Sequence, residues 1–174
     1  MKDIYVKFDG STELEGDSTD ASNAKSIEVS SFKHFVRQPK SSSASSAGGH
    51  TAERTEHGEM LFTKDIDKAT SKLFRASSAG TVYPKATISF YRAFGGKGST
   101  SANANSRVLY YQIVLDNVVV SSVETAITEG ELPIETFGLK YSKIVWEYKT
   151  SPIDGSSAVS TGKAGWDLQK NVSV

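Results

Sequence analysis

The three histidines are the residues best suited to bind a metal, but their setting does not favour a metal site. His50, Glu53 and His57 have spacings of three and four, which would bring them together on one face of a helix. The surrounding sequence is glycine-rich and then extended, and on a strand residues 50 and 57 point to opposite faces. We therefore interpret these residues as polar side chains of an interface arm, and His34 as a partly buried or lumen-adjacent histidine rather than a catalytic base.

A glycine-rich segment at residues 95–99 resembles a phosphate-binding loop only superficially. It reads Gly-Gly-Lys-Gly-Ser, and glycine amides with a lysine can hold a phosphate group. Here a glycine follows Lys97, the glycine spacing differs from that of a phosphate loop, and no helix is predicted to begin after the segment. The composition is typical of a flexible hairpin tip.

The sequence contains no pattern typical of an enzyme. Serines are abundant, yet there is no Gly-x-Ser-x-Gly elbow, and the order of serine, histidine and aspartate singles out no triad. Asp65 and Asp67 lie where a strand gives way to a helix, so we expect Asp67 to accept hydrogen bonds from free amides at the helix start. We therefore predict no catalytic residue, no cofactor and no metal.

Composition narrows the choice of partners. The 174 residues include 20 basic and 20 acidic side chains, so the net charge is zero and there is no long-range attraction to nucleic acid or anionic membranes. The absence of cysteine excludes disulfides and thiolate metal sites. Near-neutral charge also removes the repulsion that would oppose the association of many identical copies.

The length predicts one domain over residues 1–174. The first ten residues lack the apolar core of a signal peptide, and no window approaches the roughly 18 apolar residues of a membrane span. We therefore expect synthesis in the cytoplasm without a signal peptide, and no insertion into a membrane.

Hydrophobic periodicity predicts a mainly β fold. Two extended runs change the parity of their apolar residues, the first near Ser30 and Ser31 and the second near Ser142 and Lys143. Such a change indicates a bulge or bend that carries a strand between sheets, which favours a curved, two-sheet β-barrel. Further strands are predicted around residues 4–8, 86–90, 109–115, 118–123 and 166–168, with a turn at Asp116-Asn117.

One short helix is predicted against the sheets. Its apolar stripe has spacings of three and four and consists of Ile66, Ala69, Leu73, Ala76 and Ala79. Thr70 is the expected N-cap, and Gly80 the residue that follows the helix.

Four connections stand out, at residues 38–50, 94–106, 125–133 and 151–164. The first is too long for a hairpin, and residues 51–58 carry hydrophilic side chains on both faces. We interpret residues 38–58 as an arm that finds its partners on a neighbouring copy of the chain.

In these features the chain resembles the haemolysin-coregulated protein (Hcp) family, the tube subunits of bacterial type VI secretion. The segments that carry the resemblance are Phe62-Thr63-Lys64-Asp65-Ile66-Asp67-Lys68, Ser77-Ser78-Ala79-Gly80, Tyr83-Pro84, Val118-Val119-Val120-Ser121-Ser122-Val123, Leu139-Lys140-Tyr141-Ser142-Lys143-Ile144-Val145-Trp146-Glu147-Tyr148 and Gly165-Trp166-Asp167-Leu168. They follow the order of the family and cover nearly the whole chain.

The resemblance implies a six-membered ring that stacks into a tube, surrounded by a sheath and tipped by a spike, and exported from the cell with effector proteins in its lumen. An extended loop at the position of the arm packs against ring neighbours in this family. The residues expected in that contact are Gln38, Pro39, Lys40, Gly48, Gly49, His50 and Arg54. The lumen candidates are Ser31 and Lys33, and the candidates for contacts between stacked rings are Gly96, Lys97 and Ser99.

Two other function classes remain open at the level of sequence. Phe32, Tyr91, Tyr111, Trp146 and Trp166 would suit a secreted carbohydrate-binding β-domain, although their parity favours packing in the core or at an interface. A small hydrolase is the third class, and no catalytic constellation supports it.

Overall fold

The computed structural model describes residues 3–39, 54–93, 107–150 and 159–174. The elements of these ranges are β1 (Ile4–Asp9), β2 (Ile27–Val29), β3 (Ser31–Lys33), β4 (Val36–Arg37), β5 (Glu56–His57), β6 (Met60–Asp65), α1 (Thr70–Ala79), β7 (Val82–Ala93), β8 (Arg107–Ala126), β9 (Ile134–Lys140), β10 (Lys143–Thr150), β11 (Val159–Asp167) and β12 (Val172–Ser173). The predicted mainly β fold with one short helix is confirmed. Within these ranges no helix has the length and apolar character needed to cross a bilayer.

Strand β8 is shared by the two curved sheets. Its first half lies between β7 and β10, and its second half pairs with β9, always antiparallel. From the first half one sheet extends through β7 to β1 and β2, and through β10 to β11 and β12. From the second half the other sheet extends through β9 to β6 and β3. The predicted pair of sheets is confirmed, and the described strands do not close into a complete barrel.

The first predicted change of parity is a strand that moves between the sheets. β2 pairs with β1, whereas β3, only one residue further along the chain, pairs with β6. Ser30 fixes this bend, because its amide and its hydroxyl both donate to the Thr63 carbonyl, at 2.7 and 3.0 Å. The extra residue turns the chain, as a bulge does.

The second change of parity, predicted near Ser142 and Lys143, is also confirmed, and the bend lies at residues 141–142. β9 and β10 continue one register along β8, with Lys140 opposite Val119 and Lys143 opposite Asp116. On their other side they separate, since β9 pairs with β6 and β10 pairs with β11.

The predicted turn at Asp116-Asn117 is wrong, because β8 runs through both residues. Asn117 has a φ of +52°, a left-handed conformation that asparagine tolerates, so the strand bends there without ending. Its side-chain amide donates to the Ser142 hydroxyl at 2.9 Å, and the Ser142 amide donates to the Asp116 carbonyl at 3.0 Å. The two neighbouring strands therefore bend together. The predicted connection at 151–164 is also too long, since β11 begins at Val159.

The start of α1 differs from the prediction. Thr70 is the first helical residue rather than the N-cap, a position that Ala69 occupies without a side-chain hydrogen bond. The Thr70 hydroxyl instead accepts the Asp67 amide at 3.1 Å and the Lys64 ammonium at 3.0 Å. Asp67 accepts the Ala69 amide at 2.9 Å, which confirms the role predicted for this carboxylate.

The end of α1 is as predicted, whereas its buried apolar stripe is shorter than the predicted one. Gly80 ends the helix in a left-handed conformation with a φ of +61° and donates to carbonyls of the last turn. The buried residues of the stripe are Ala69, Leu73 and Ala76. Ile66 and Ala79 are exposed, because the first precedes the helix and the second is its last residue.

The core is aromatic where the two sheets face each other. Phe62 stacks on Phe137 with ring centroids 5.0 Å apart, and Phe32 packs against Phe62 and Phe90 at 5.5 and 5.2 Å. Tyr111, Trp146 and Trp166 pack against the same core.

A buried ion pair extends this core toward the helix. Lys64 and Glu135 lie opposite each other on β6 and β9, and both are 0% exposed. The Lys64 ammonium is 3.0 Å from Glu135 Oε1 and donates to Asp67 Oδ1 at 2.7 Å. It also donates to the Asp65 carbonyl and the Thr70 hydroxyl, each at 3.0 Å. One ammonium therefore connects two strands to the first turn of α1.

Replacement of Lys64 by methionine is expected to lower the free energy of unfolding by about 3–5 kcal/mol, because Glu135 would remain buried without a counter-charge. The control Glu135→Gln leaves Lys64 bonded to Asp67 and Thr70, so its expected cost is about 1–2 kcal/mol. Adding Glu135→Leu to Lys64→Met should recover most of the loss. Urea unfolding at one fixed protein concentration measures these values, and a loss below about 1 kcal/mol for Lys64→Met would contradict the role of the pair.

Candidate subunit interface

The arm predicted at residues 38–58 is described at its two ends, where β4 and β5 form a separate two-stranded sheet. We call this small sheet the arm base. Val36 lies opposite His57, and Arg37 opposite Glu56. The Arg37 guanidinium donates twice to one Glu56 oxygen, at 2.9 and 2.7 Å. Because the arm base shares no ladder with the two large sheets among the described residues, its position depends on other contacts with the body.

Two histidines and a tyrosine form the first of these contacts, here called the His–Tyr–His cluster. His34 precedes β4, His57 is in β5, and Tyr141 lies in the bend between β9 and β10. The Tyr141 hydroxyl is 2.8 Å from His34 Nε2 and 2.9 Å from His57 Nδ1. The His57 ring also packs on Trp146, with centroids 6.1 Å apart. The cluster therefore joins both strands of the arm base to the body.

Burial keeps the cluster uncharged at neutral pH. It lowers the pKa of His34, with a further lowering from the charge that His57 would carry, and it lowers the pKa of His57. Burial also raises the pKa of the Tyr141 phenol. In the neutral state the hydroxyl donates to one imidazole nitrogen and accepts the N–H of the other, so each of the three groups takes part in a hydrogen bond.

Two further contacts hold the arm base on either side of the cluster. Arg54 donates from Nη2 to the Leu168 carbonyl near the end of the chain. Glu59 accepts hydrogen bonds from the hydroxyls of Ser121 and of Ser122, the latter at 2.8 Å. A bulge in β8 between residues 120 and 122 lets these two consecutive serines reach the same carboxylate.

A cavity of about 380 Å³ opens beside the arm base. It is lined by Val36, Gln38, Arg54, Thr55, His57, Trp146, Trp166 and Asn171. The indole N–H of Trp166 is buried and has no acceptor among the described residues. Two indoles edged by amide and guanidinium groups suit an apolar group that carries a polar end.

The edge of β11 is the second exposed feature of this region. All residues from Val159 to Ala164 are exposed, and Val159 is 58% exposed. Among the described residues this stretch pairs only with β10, because β12 covers β11 only near Trp166 and Asp167. On the other side, the described residues leave the backbone donors and acceptors available for pairing with another strand.

The structure places some of the predicted interface residues. Gln38 is exposed and lines the cavity, Pro39 is partly buried, and Arg54 binds its own chain through Leu168. Ser31 and Lys33 are exposed on β3. The remaining candidates lie outside the described residues: Lys40, Gly48, Gly49, His50, Gly96, Lys97 and Ser99. So do Glu53 and the whole 94–106 connection.

Sequence reasoning missed the His–Tyr–His cluster. Its signal was present in the parity of the strands, since His34 continues the side of Phe32, and Tyr141 that of Leu139. His34 was correctly interpreted as partly buried. The sequence did not indicate that these three residues contact one another, because Tyr141 is 107 residues from His34 and 84 from His57.

Comparisons with known proteins agree with this architecture. Residues 5–148 match the family described as "Type VI secretion system effector, Hcp". Over 171 residues the chain is 30% identical to the protein Hcp1 of Pseudomonas aeruginosa PAO1, covering 98% of this chain and 97% of that protein. A solved type six secretion system protein is similar with a TM-score of 0.80 and 25% identity over 100% of both chains. Hcp1 from Salmonella typhimurium shares the fold, with a TM-score of 0.73 and 23% identity over 99% of this chain and 98% of that one.

Tyr141→Phe is expected to lower the free energy of unfolding by about 1–3 kcal/mol at pH 7.5, because two partly buried imidazoles lose their shared hydrogen-bond partner. The matched control is Tyr148→Phe at a side chain that is 43% exposed, where the expected change is within about 0.5 kcal/mol. Urea denaturation followed by circular dichroism compares the two variants. Equal stabilities would show that the Tyr141 hydroxyl contributes nothing to the attachment of the arm base.

Proposed function

The chain belongs to the Hcp family of type VI secretion proteins, and we propose that it is a structural subunit of the inner tube of that system. Six copies form a ring, rings stack into a tube, and the tube leaves the cell when the surrounding sheath contracts. The partners are further copies of the chain, the sheath, the spike and effector proteins in the lumen. The subunit acts by assembly rather than by catalysis.

The observation that carries this proposal is the free edge of β11. From Val159 to Ala164 the strand is exposed on both faces and, among the described residues, lacks a partner on one side. Proteins normally blunt such edges, since they pair with other chains. A head-to-tail contact at this edge joins different surfaces of successive copies, and such contacts form a ring when the rotation closes.

The arm supplies the second part of the proposed ring contact. Its base is fixed on the body by Arg54, by Glu59 and by the His–Tyr–His cluster, so the direction in which the arm leaves the body is set. Gln38 lies at the cavity that opens beside this base. We assign the ring contact to residues 38–58 together with the β11 edge, and the cavity to a side chain of the adjacent copy.

The carbohydrate-binding alternative has one observation in its favour. Trp146 and Trp166 line the cavity together with Arg54 and Asn171, and such a combination also suits a sugar. A monomer that binds sugars through this cavity would support the alternative.

The lumen is assigned to the surface that carries Ser31 and Lys33. Both are exposed on β3, whose register places Lys33 opposite Leu61. A lysine on the inner wall of a ring would be repeated in every copy, so cargo with acidic surfaces would be favoured.

Light scattering after size-exclusion chromatography is expected to give a mass about six times the 18.7 kDa of the chain. Val159→Lys should reduce the population of rings by at least roughly tenfold, because a charge on an edge strand opposes strand pairing. Ile127→Lys is the matched control, since Ile127 is 73% exposed in a connection rather than on a strand edge, and it should leave the mass unchanged. A wild-type chain that stays monomeric at all concentrations would refute the ring.

Lys33→Glu is expected to change which effector proteins co-purify with the ring while the mass of the ring stays the same. The physical reason is a reversal of charge on each copy of the lumen wall. Co-purification followed by mass spectrometry measures cargo, and light scattering measures the ring. Loss of the ring in this variant would instead place Lys33 at a subunit contact.

A further inference from the structure

The His–Tyr–His cluster has the composition and position of a pH-dependent clasp. The imidazole of His34 precedes β4, the imidazole of His57 lies in β5 at the end of the arm, and the phenol belongs to the body. Both imidazoles bond to the same oxygen atom, so one hydroxyl holds both strands of the arm base. A change of charge on either ring therefore acts directly on the attachment.

We propose that the His–Tyr–His cluster holds the arm base on the body while both imidazoles are neutral, and releases it when they are protonated. This inference concerns a contact within one chain and does not rest on the formation of rings or on the proposed function. It assigns to His34, His57 and Tyr141 a regulatory role in which the arm base is attached at neutral pH and released in mildly acidic surroundings.

The hydrogen bonds of the cluster require at least one imidazole lone pair. Tyr141 has a single proton to donate, and that proton needs an acceptor nitrogen on His34 or His57. When both rings are protonated, each presents an N–H to the same oxygen and the phenolic proton loses its acceptor. Two imidazolium rings would also lie with centroids only 6.1 Å apart in a partly buried site.

Among the described residues, no neighbouring carboxylate compensates for these charges. Glu56, beside His57 in β5, is exposed and already paired with Arg37. Glu59, two residues after His57, is bonded to the hydroxyls of Ser121 and Ser122.

The other charged groups close to the cluster are cations. Lys33 precedes His34 and is exposed, and Arg54 lines the same cavity as His57. The titratable groups in ring or hydrogen-bond contact with the two imidazoles, among the described residues, are each other and Tyr141. The part of these surroundings that the structure describes therefore offers no negative charge to stabilise a protonated imidazole.

The direction of the pH effect follows from linkage. A free imidazole has a pKa near 6.5, and burial in the cluster lowers the pKa of both His34 and His57. Below about pH 6.5 the released arm base binds more protons than the attached one. The free energy of attachment is therefore fully present above that pH and decreases as the pH falls below it.

Hydrogen exchange followed by mass spectrometry tests the clasp in the full-length chain. The probe is the exchange rate of peptides that cover the arm base, including the Gly58 amide that donates to the Phe35 carbonyl at 3.0 Å. Rates are divided by the intrinsic rate at each pH. Between pH 7.5 and 5.5 the corrected rate is expected to rise at least roughly fivefold, because both imidazoles bind protons more readily when the arm base is released. A His50→Gln background leaves His34 and His57 as the only histidines.

The matched control is the double variant His34→Gln, His57→Asn. The glutamine amide reaches the position of His34 Nε2 and the asparagine amide that of His57 Nδ1, so both bonds to Tyr141 are retained without a titrating group. Its corrected exchange rate should change less than about twofold over the same pH range. The proposal would be overturned if the exchange rate rose equally in the double variant and in the parent, or if it did not rise in the parent. Peptides from β1 and from the β11 edge, measured in parallel, separate release of the arm base from global unfolding and from loss of the ring.

Discussion

The charge of Lys64 in the interior of the molecule constrains most of the structure around it. A fully buried ammonium is tolerated only with an opposite charge and a complete set of acceptors, and here these come from β9, from the chain before α1 and from the first helical residue. A shift of β6 by one residue would turn Lys64 to the surface and Phe62 away from Phe137. The ion pair and the aromatic stack therefore specify the same register, and they also fix the helix that lies across β8.

The alternation of residues along strands predicted the parts of the fold that depend on the face toward which a side chain points. The two changes of parity, at Ser30 and near Ser142, correctly identified strands that move between sheets. The same rule applied to Lys64 and Glu135 would have predicted the buried pair, since each continues the inward side of its strand. The prediction of a turn at Asp116-Asn117 failed because asparagine in a left-handed conformation suits a bend within a strand as well as a turn.

The candidate interface could not be predicted from the alternation of residues, because it depends on contacts between residues that are far apart in the sequence. Parity indicated that His34 and Tyr141 face inward, but nothing local relates either of them to His57 at the far end of the arm. The cap of α1 shows the same limit on a smaller scale. Threonine commonly caps the start of a helix, yet the Thr70 hydroxyl bonds to Lys64. The burial of Lys64 is decided by the pairing of β6 with β9.

The free edge of β11 and the fixed arm base have opposite physical characters, and that difference favours ordered assembly. An edge offers the same backbone groups at every residue, so on its own it specifies neither register nor partner. With a net charge of zero, no general repulsion keeps copies apart, and Lys163 is the single charged side chain from Val159 to Ala164. Specificity must then come from side chains in a fixed place, which the contacts of Arg54, Glu59 and the His–Tyr–His cluster provide beside the same region. In the proposed ring the arm selects the partner and the register, and the strand edge contributes contact area once both are set.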